Sequence, residues 1–209
     1  MKKITGKSQP SENDFINPTL SGTKPKNLAK LRSAQEVARR VAVLGNLFFK
    51  TFDFNNESYV KFLKEKGLWK DASPAEKSFF SHSTPSENDI YLAAWRAEAA
   101  WVLLWALNQV PELGSPETRC DMTFLAKTAL FINMSPDDFI ENAVLRPVEE
   151  IVEAAHDIYH AHWAARDRGI RGVTIAGDLS TDVLDERHHA INWLICFNND
   201  DWDNVITDT

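Results

Sequence analysis

One short pattern recurs along this chain and limits its fold more than any other: a hydroxyl side chain, then proline, then an acid. It occurs as Ser73-Pro74-Ala75-Glu76, Thr84-Pro85-Ser86-Glu87, Ser115-Pro116-Glu117 and Ser135-Pro136-Asp137-Asp138. The hydroxyl oxygen accepts from the orphan amides of a first helical turn, proline wastes no amide at the first position, and the acid complements the positive end of the helix dipole. Four helix starts are therefore expected. Ser33-Ala34-Gln35-Glu36 adds a capping-box candidate at or near the start of a further helix. The chain holds 22 alanines against 8 glycines, and long stretches free of glycine and proline suit helices better than the tight turns of a β-sandwich.

The expected helices lie near 28–50, 56–66, 74–81, 85–109, 116–132, 136–143, 147–168 and 180–197. Gly172 to Gly177 is the one short stretch with extended character, and it has no obvious partner. Residues 1–26 combine Lys, Ser, Asn, Gly and three prolines with almost no periodic apolar residues, which predicts a flexible arm. The remaining length, with 44% hydrophobic residues over the whole chain, suffices for one core. The expectation is all-α: a single compact multi-helix domain over 27–209, with a buried central helix and a flexible N-terminal arm. Trp202 and Val205 predict that the C-terminal residues dock on the body. No repeat of 20–50 residues suggests a solenoid.

The net charge of -7 is uneven. Residues 1–30 carry six lysines against Glu12 and Asp14, a local +4 that leaves -11 for the remainder. Such an acidic body repels phosphate backbones, so nucleic acid is not an expected partner. The strongest apolar run, Ala99 to Leu107, has about half the ~20 residues that a bilayer requires, so a buried helix is expected and a membrane span is not. The lysines near the N-terminus precede no apolar run of signal-peptide length. Cys120 and Cys196 have no CxxC or His/Cys ligand spacing, which predicts free thiols in a reducing, cytoplasmic compartment.

Chemistry-bearing residues fall at unexpected places. In the segment 90–107, apolar nearly all round, Arg96 and Glu98 are the only charged residues. At 100° per residue, Val148, Val152, Ala155, Tyr159 and Trp163 form an apolar stripe that would also carry His162 and Arg166. In the last helix, Val183, Ala190, Leu194 and Phe197 set the apolar face, with Arg187 near its centre and Glu186 at its edge. Isolated charges in a core cost many kcal/mol, so these groups should meet one another.

Arg96, Glu98, His162, Arg166, Glu186, Arg187 and His188 form the candidate cluster. It reads either as a salt-bridge network that fixes helix register or as a pocket whose arginines grip a carboxylate or phosphate, with His162 or His188 as acid and base. A metal held by Glu98, His162 and Glu186 is disfavoured by the neighbouring arginines. Glu149, Glu153, His156 and His160 share a flank of the 147–168 helix. Glu153-Ala-Ala-His156 and Glu186-Arg-His-His189 have the ExxH form of di-iron bundles. A solvated Glu/His face is the simpler account, because Arg187 would bring a cation to any such site.

Neither Asn198 to Asp203 nor the aromatics Phe48, Phe49, Phe52 and Phe54 make a stronger signal; a turn and core packing are expected there. The chain lacks GxSxG, a phosphate-cradling GxxxxGK[ST] and a dinucleotide fingerprint. Neither a cofactor nor a metal is expected.

Arg32-Ser33 with Glu36 and Arg39, WRAEAAWVLLWAL from Trp95, Cys120-Asp121, YHAHWAARD from Tyr159, ERHHAINWL from Glu186 and WDNVITDT from Trp202 together resemble a bacterial family catalogued as domain of unknown function 4272. The resemblance covers about 31–209. It implies motif positions at Trp95, Glu98, Trp105, His162, Trp163, Glu186, Arg187, His188, Asn192, Trp193, Trp202 and Asp203, and it implies no activity. This chain has His156 and His160 where the family pattern has an acid and an arginine, which weakens the di-iron alternative. The expected function is binding, as an accessory or immunity-like interaction module with a protein partner. The alternative is an enzyme acting on a small anionic ligand through the Arg/Glu/His cluster.

Overall fold

The computed structural model describes residues 30–54, 57–131, 134–173, 178 and 180–208. The expected arm at 1–26 and most of the extended candidate at 172–177 lie outside these residues. Among the described residues the secondary structure is helical, without strands. Eight α-helices follow in order: α1 (Ala34–Lys50), α2 (Ser58–Glu65), α3 (Pro74–Ser81), α4 (Glu87–Ala106), α5 (Met122–Ala129), α6 (Pro136–Glu141), α7 (Val148–Ile170) and α8 (Ser180–Leu194).

The capping chemistry sets most of the starts. Ser33 and Ser73 each accept from the amide three residues on, while Glu36 and Glu76 reach back to the cap amide, completing two capping boxes. Ser135 caps α6 with Pro136 at its first position. The Thr84-Pro85 start is displaced: Ser86 is the cap, and Asp89 closes its box. α2 ends in a Schellman turn, with Leu68 N–H donating to Leu63 O and Gly67 N–H to Lys64 O. Gly67 has φ of +64° there, a conformation that disfavours a side chain.

Three expected boundaries are corrected by tertiary contacts. The helix expected from 28 begins at Ala34, because Arg32 N–H donates to Leu194 O, and the Arg32 guanidinium to Trp193 O and Asp200 O. These bonds tie the preceding residues to the end of α8. The helix expected from 116 begins at Met122, because the Cys120 amide donates to buried Glu98 instead of to a helical carbonyl. Ser115 therefore closes only a turn, and Asp121 becomes the cap. α8 stops at Leu194, short of the expected 197, and Cys196 is left-handed.

α4 is the buried centre. Every residue from Ala97 to Leu107 is buried, and the helix packs against α1 on one side and α8 on another, with α7 outside α8. Its C-terminus is held by Arg146, whose backbone amide donates to Ala106 O and whose guanidinium donates to Trp105 O and Val110 O. A cation at that end also matches the helix dipole.

On α7 the buried residues are Ile151, Ala155, Ile158, Tyr159, His162 and Ala165, of which Ala155, Tyr159 and His162 lie on the expected apolar stripe. The buried face is rotated from the expected one, leaving Val148, Val152 and Trp163 half-buried and turning Arg166 into solvent. The expected C-terminal docking is present: Trp202 is buried and Asn192 Nδ2 donates to Ile206 O. Phe48 is core, whereas Phe52 at the end of α1 is exposed.

Gly45 lies where α1 crosses α5, and a Cβ there would collide with Ala129 Cβ. Gly45→Ala should therefore lower the unfolding free energy by about 1–3 kcal/mol despite alanine's better helix propensity. Denaturant unfolding should show Ala129→Gly recovering part of that loss in the double variant.

Candidate functional site

The ionisable residues of α4 and α8 are drawn together by helix packing. Glu98, fully buried on α4, receives the Arg187 guanidinium at 3.4 Å on Oε2 and the Cys120 amide at 2.7 Å on Oε1. Arg187 also donates to Gly114 O at 2.9 Å. One residue before it, Glu186 accepts from Arg96 at 3.1 Å, so two antiparallel exchanges link the same pair of helices. Burial raises the Glu186 carboxyl to about 7, against the opposing pull of the Arg96 charge. Cys120 is buried beside Glu98, and desolvation followed by that carboxylate pushes its thiol well up. It is a poor nucleophile.

A second fully buried pair lies outside the expected cluster. Arg40 on α1 donates to both Glu76 oxygens, at 2.9 and 2.8 Å, and to Asp71 O at 2.6 Å. Glu76 thus caps α3 and anchors it to α1. A signal for Arg40 existed in the sequence, since it shares a face with Val37, Val41 and Leu44, all buried. Its guanidinium sits between two indoles, 5.6 Å from the Trp193 ring and 4.7 Å from Trp202. Arg32 covers Trp193 at 4.9 Å and Arg96 approaches Trp202 at 5.7 Å. The result is an alternating series of arginine and tryptophan joining α1, α4, α8 and the C-terminal segment.

The histidines form a separate group. His162 Nδ1 and His188 Nδ1 lie 3.0 Å apart, both buried, so one donates and the other accepts. His162 Nε2 is 3.9 Å from Asp185. Desolvation, followed by the His162 neighbour, lowers His188 to about 4, and desolvation also lowers His162. His189 packs its ring 4.6 Å from Trp202 and is lowered to about 3 by burial and then by Arg96. Among the described residues, Arg40 Nε, Arg187 Nε, His189 Nε2 and Trp202 Nε1 are buried without a hydrogen-bond partner.

Arg166 does not join the cluster; it is exposed because α7 is rotated about its axis, and only its charge reaches His162 and His188. Arg96, Glu98, Glu186 and Arg187 meet as two pairs, with His162 and His188 as a third contact on the opposite face of α8.

Of the three side chains weighed as metal ligands, Glu98 is paired with Arg187, Glu186 with Arg96 and His162 with His188, and among the described residues no three His, Cys, Asp or Glu side chains are grouped so as to hold a metal. The ExxH on α8 is likewise split, Glu186 going to Arg96 and His189 to Trp202. Glu149, Glu153, His156 and His160 are all exposed. Asp203, in the acidic segment near the C-terminus, accepts the Ala75 amide at the start of α3.

A cleft of about 160 Å³ opens beside Arg187, lined also by Trp101, Gly114, Thr118, Arg119 and Cys120. It is about half the smallest usual volume of a small-molecule site. No helix among the described residues is long and apolar enough to cross a membrane.

Arg187→Ala should cost about 3–5 kcal/mol, because it strands the Glu98 carboxylate in the core. Pairing Arg187→Met with Glu98→Gln should recover much of that loss, since Gln keeps an acceptor for the Cys120 amide; urea unfolding of the variants checks both. Acidification provides a second test. Below about pH 6.5 the unfolded chain protonates imidazoles that the fold keeps neutral, so the stability contributed by His162, His188 and His189 falls as pH drops from 6.5 toward 4. Each fully shifted histidine contributes up to about 1.4 kcal/mol per pH unit. Glu186 acts in the opposite sense between its unfolded value of 4.5 and its folded value of about 7, because there the fold holds a proton that the unfolded chain releases. With three groups against one, unfolding free energy should fall from pH 6 to 4, and His162→Gln with His188→Gln should flatten that slope.

A family model described as Domain of unknown function (DUF4272) matches residues 11–205. No curated protein and no solved structure matches the chain.

Proposed function

Because this chain belongs to the family of domain of unknown function 4272, which brings no activity with it, we propose a function from its own geometry: binding, as an accessory or immunity-like interaction module of the cytoplasm. The observation that supports this reading is that the interior charges are spent on one another. Glu98 is occupied on both oxygens, and Glu186 and Glu76 each hold an arginine. His162 and His188 are held by each other. Groups arranged for catalysis aim their reactive atoms at a cavity able to hold substrate, and the cleft beside Arg187 is small for that. A protein partner suits the reading, and the net charge of -7 disfavours polyanions.

The second reading, an enzyme for a small anionic substrate, is favoured by one feature: Arg119 and Arg187 both border the cleft. A thermal-shift screen against phosphate, sulfate and small carboxylates separates the two. Binding through the surface predicts no saturable stabilisation by any of these anions. Stabilisation approaching the ~2.7 kcal/mol given by a ligand at 100 times its dissociation constant, and lost in Arg119→Gln, would favour the enzyme.

A further inference from the structure

His156 and His160 lie one turn apart on α7, and their Nε2 atoms are 3.0 Å from each other. The buried pair, His162 and His188, has the same nitrogen separation, but its ring centres are 5.3 Å apart, the arrangement of two rings meeting nearly head-on. The rings of His156 and His160 have centres only 4.2 Å apart at an interplanar angle of 65°. They therefore meet edge to face and not end to end, and both side chains are exposed.

Two imidazole nitrogens each about 2.0–2.1 Å from one ion stand about 2.9 Å apart at a right angle and about 3.4 Å apart at the tetrahedral angle. The separation here is close to the right-angle value, which belongs to adjacent positions of a square-planar or octahedral ion. The electrostatics agree. From Pro147 to Ala165 the chain has Glu149, Glu150, Glu153 and Asp157 and no lysine or arginine, and all four acids are exposed. Asp157 Oδ1 lies 3.7 Å from His156 Nδ1, placing a further negative charge beside the pair.

We propose that His156 and His160 form an open, two-ligand site for a divalent transition-metal cation, with water completing the coordination. The site prefers Cu²⁺ over both Ni²⁺ and Zn²⁺ in affinity, following the Irving–Williams order. It is independent of the interior pairs and of the binding reading above. It differs from a di-iron centre in lying on one exposed helix face and in having two protein ligands, neither of them a carboxylate.

The test is titration of the chelator-treated full chain with Cu²⁺, followed by calorimetry and by the nitrogen couplings in the Cu²⁺ electron paramagnetic resonance spectrum. The expected result is one strong site per chain with two imidazole nitrogens. His156→Gln and His160→Gln should each weaken it by at least the ~10-fold that loss of even an outer-shell partner costs. His82→Gln, at another exposed histidine, should leave it unchanged. Both ligand variants change solvent-exposed side chains, so circular dichroism should match the parent. Unaltered Cu²⁺ affinity in the double variant, or a parent spectrum with fewer than two imidazole nitrogens, would overturn the proposal.

Discussion

Burying a guanidinium is unfavourable unless a carboxylate goes with it, and here two buried pairs and one half-buried pair decide how the helices stand. Arg40, Arg96 and Arg187 each take a glutamate from a different helix: Glu76 of α3, Glu186 of α8 and Glu98 of α4. Each pairing is directional, so each fixes rotation and register as well as proximity. Apolar packing alone would leave α4 free to turn, since it is apolar nearly all round. The reciprocal exchange of Arg96 to Glu186 and Arg187 to Glu98 removes that freedom.

The C-terminal segment completes the same assembly from outside. Trp202 fills the space between Arg40, Arg96 and His189, and Asp203 occupies the start of α3, where an exposed helix amide would otherwise face solvent. Thr207 reaches Asp185, and Asn192 holds Ile206 O. The terminal residues thus act as a clasp over α3 and α8. Their aromatic and acidic character follows from what they cover: guanidinium faces and helix amides.

Much of the local structure was legible in the chain. The hydroxyl-proline-acid pattern marked the starts of α3 and α6, and the Ser33 box marked α1. The nearly all-apolar run from Ala97 to Leu107 marked the central helix. That Arg187 should meet a glutamate also followed from its place among buried residues. What was not legible depended on distant partners. Glu98 takes the amide that would have extended α5 backward, and Arg32 takes carbonyls at the end of α8. The face of α7 was misjudged because Val148, Val152 and Trp163 are as apolar as Ile151, Ile158 and Ala165. A stripe that broad tolerates a rotation that carries Arg166 into solvent.

Local sequence is enough to make this chain helical and to set where most helices begin, because capping and proline act over three or four residues through bonds no distant group is needed to make. It also pointed to buried charges, because Glu98 sits beside an apolar run and Arg187 on an apolar helix face. The tertiary structure alone decided which carboxylate each arginine would meet, that Arg40 and the Trp193–Trp202 stack would join them, and that the central charges would close on one another. Those choices depend on the relative rotation of whole helices, and that rotation is set by packing summed over many residues far apart in the chain.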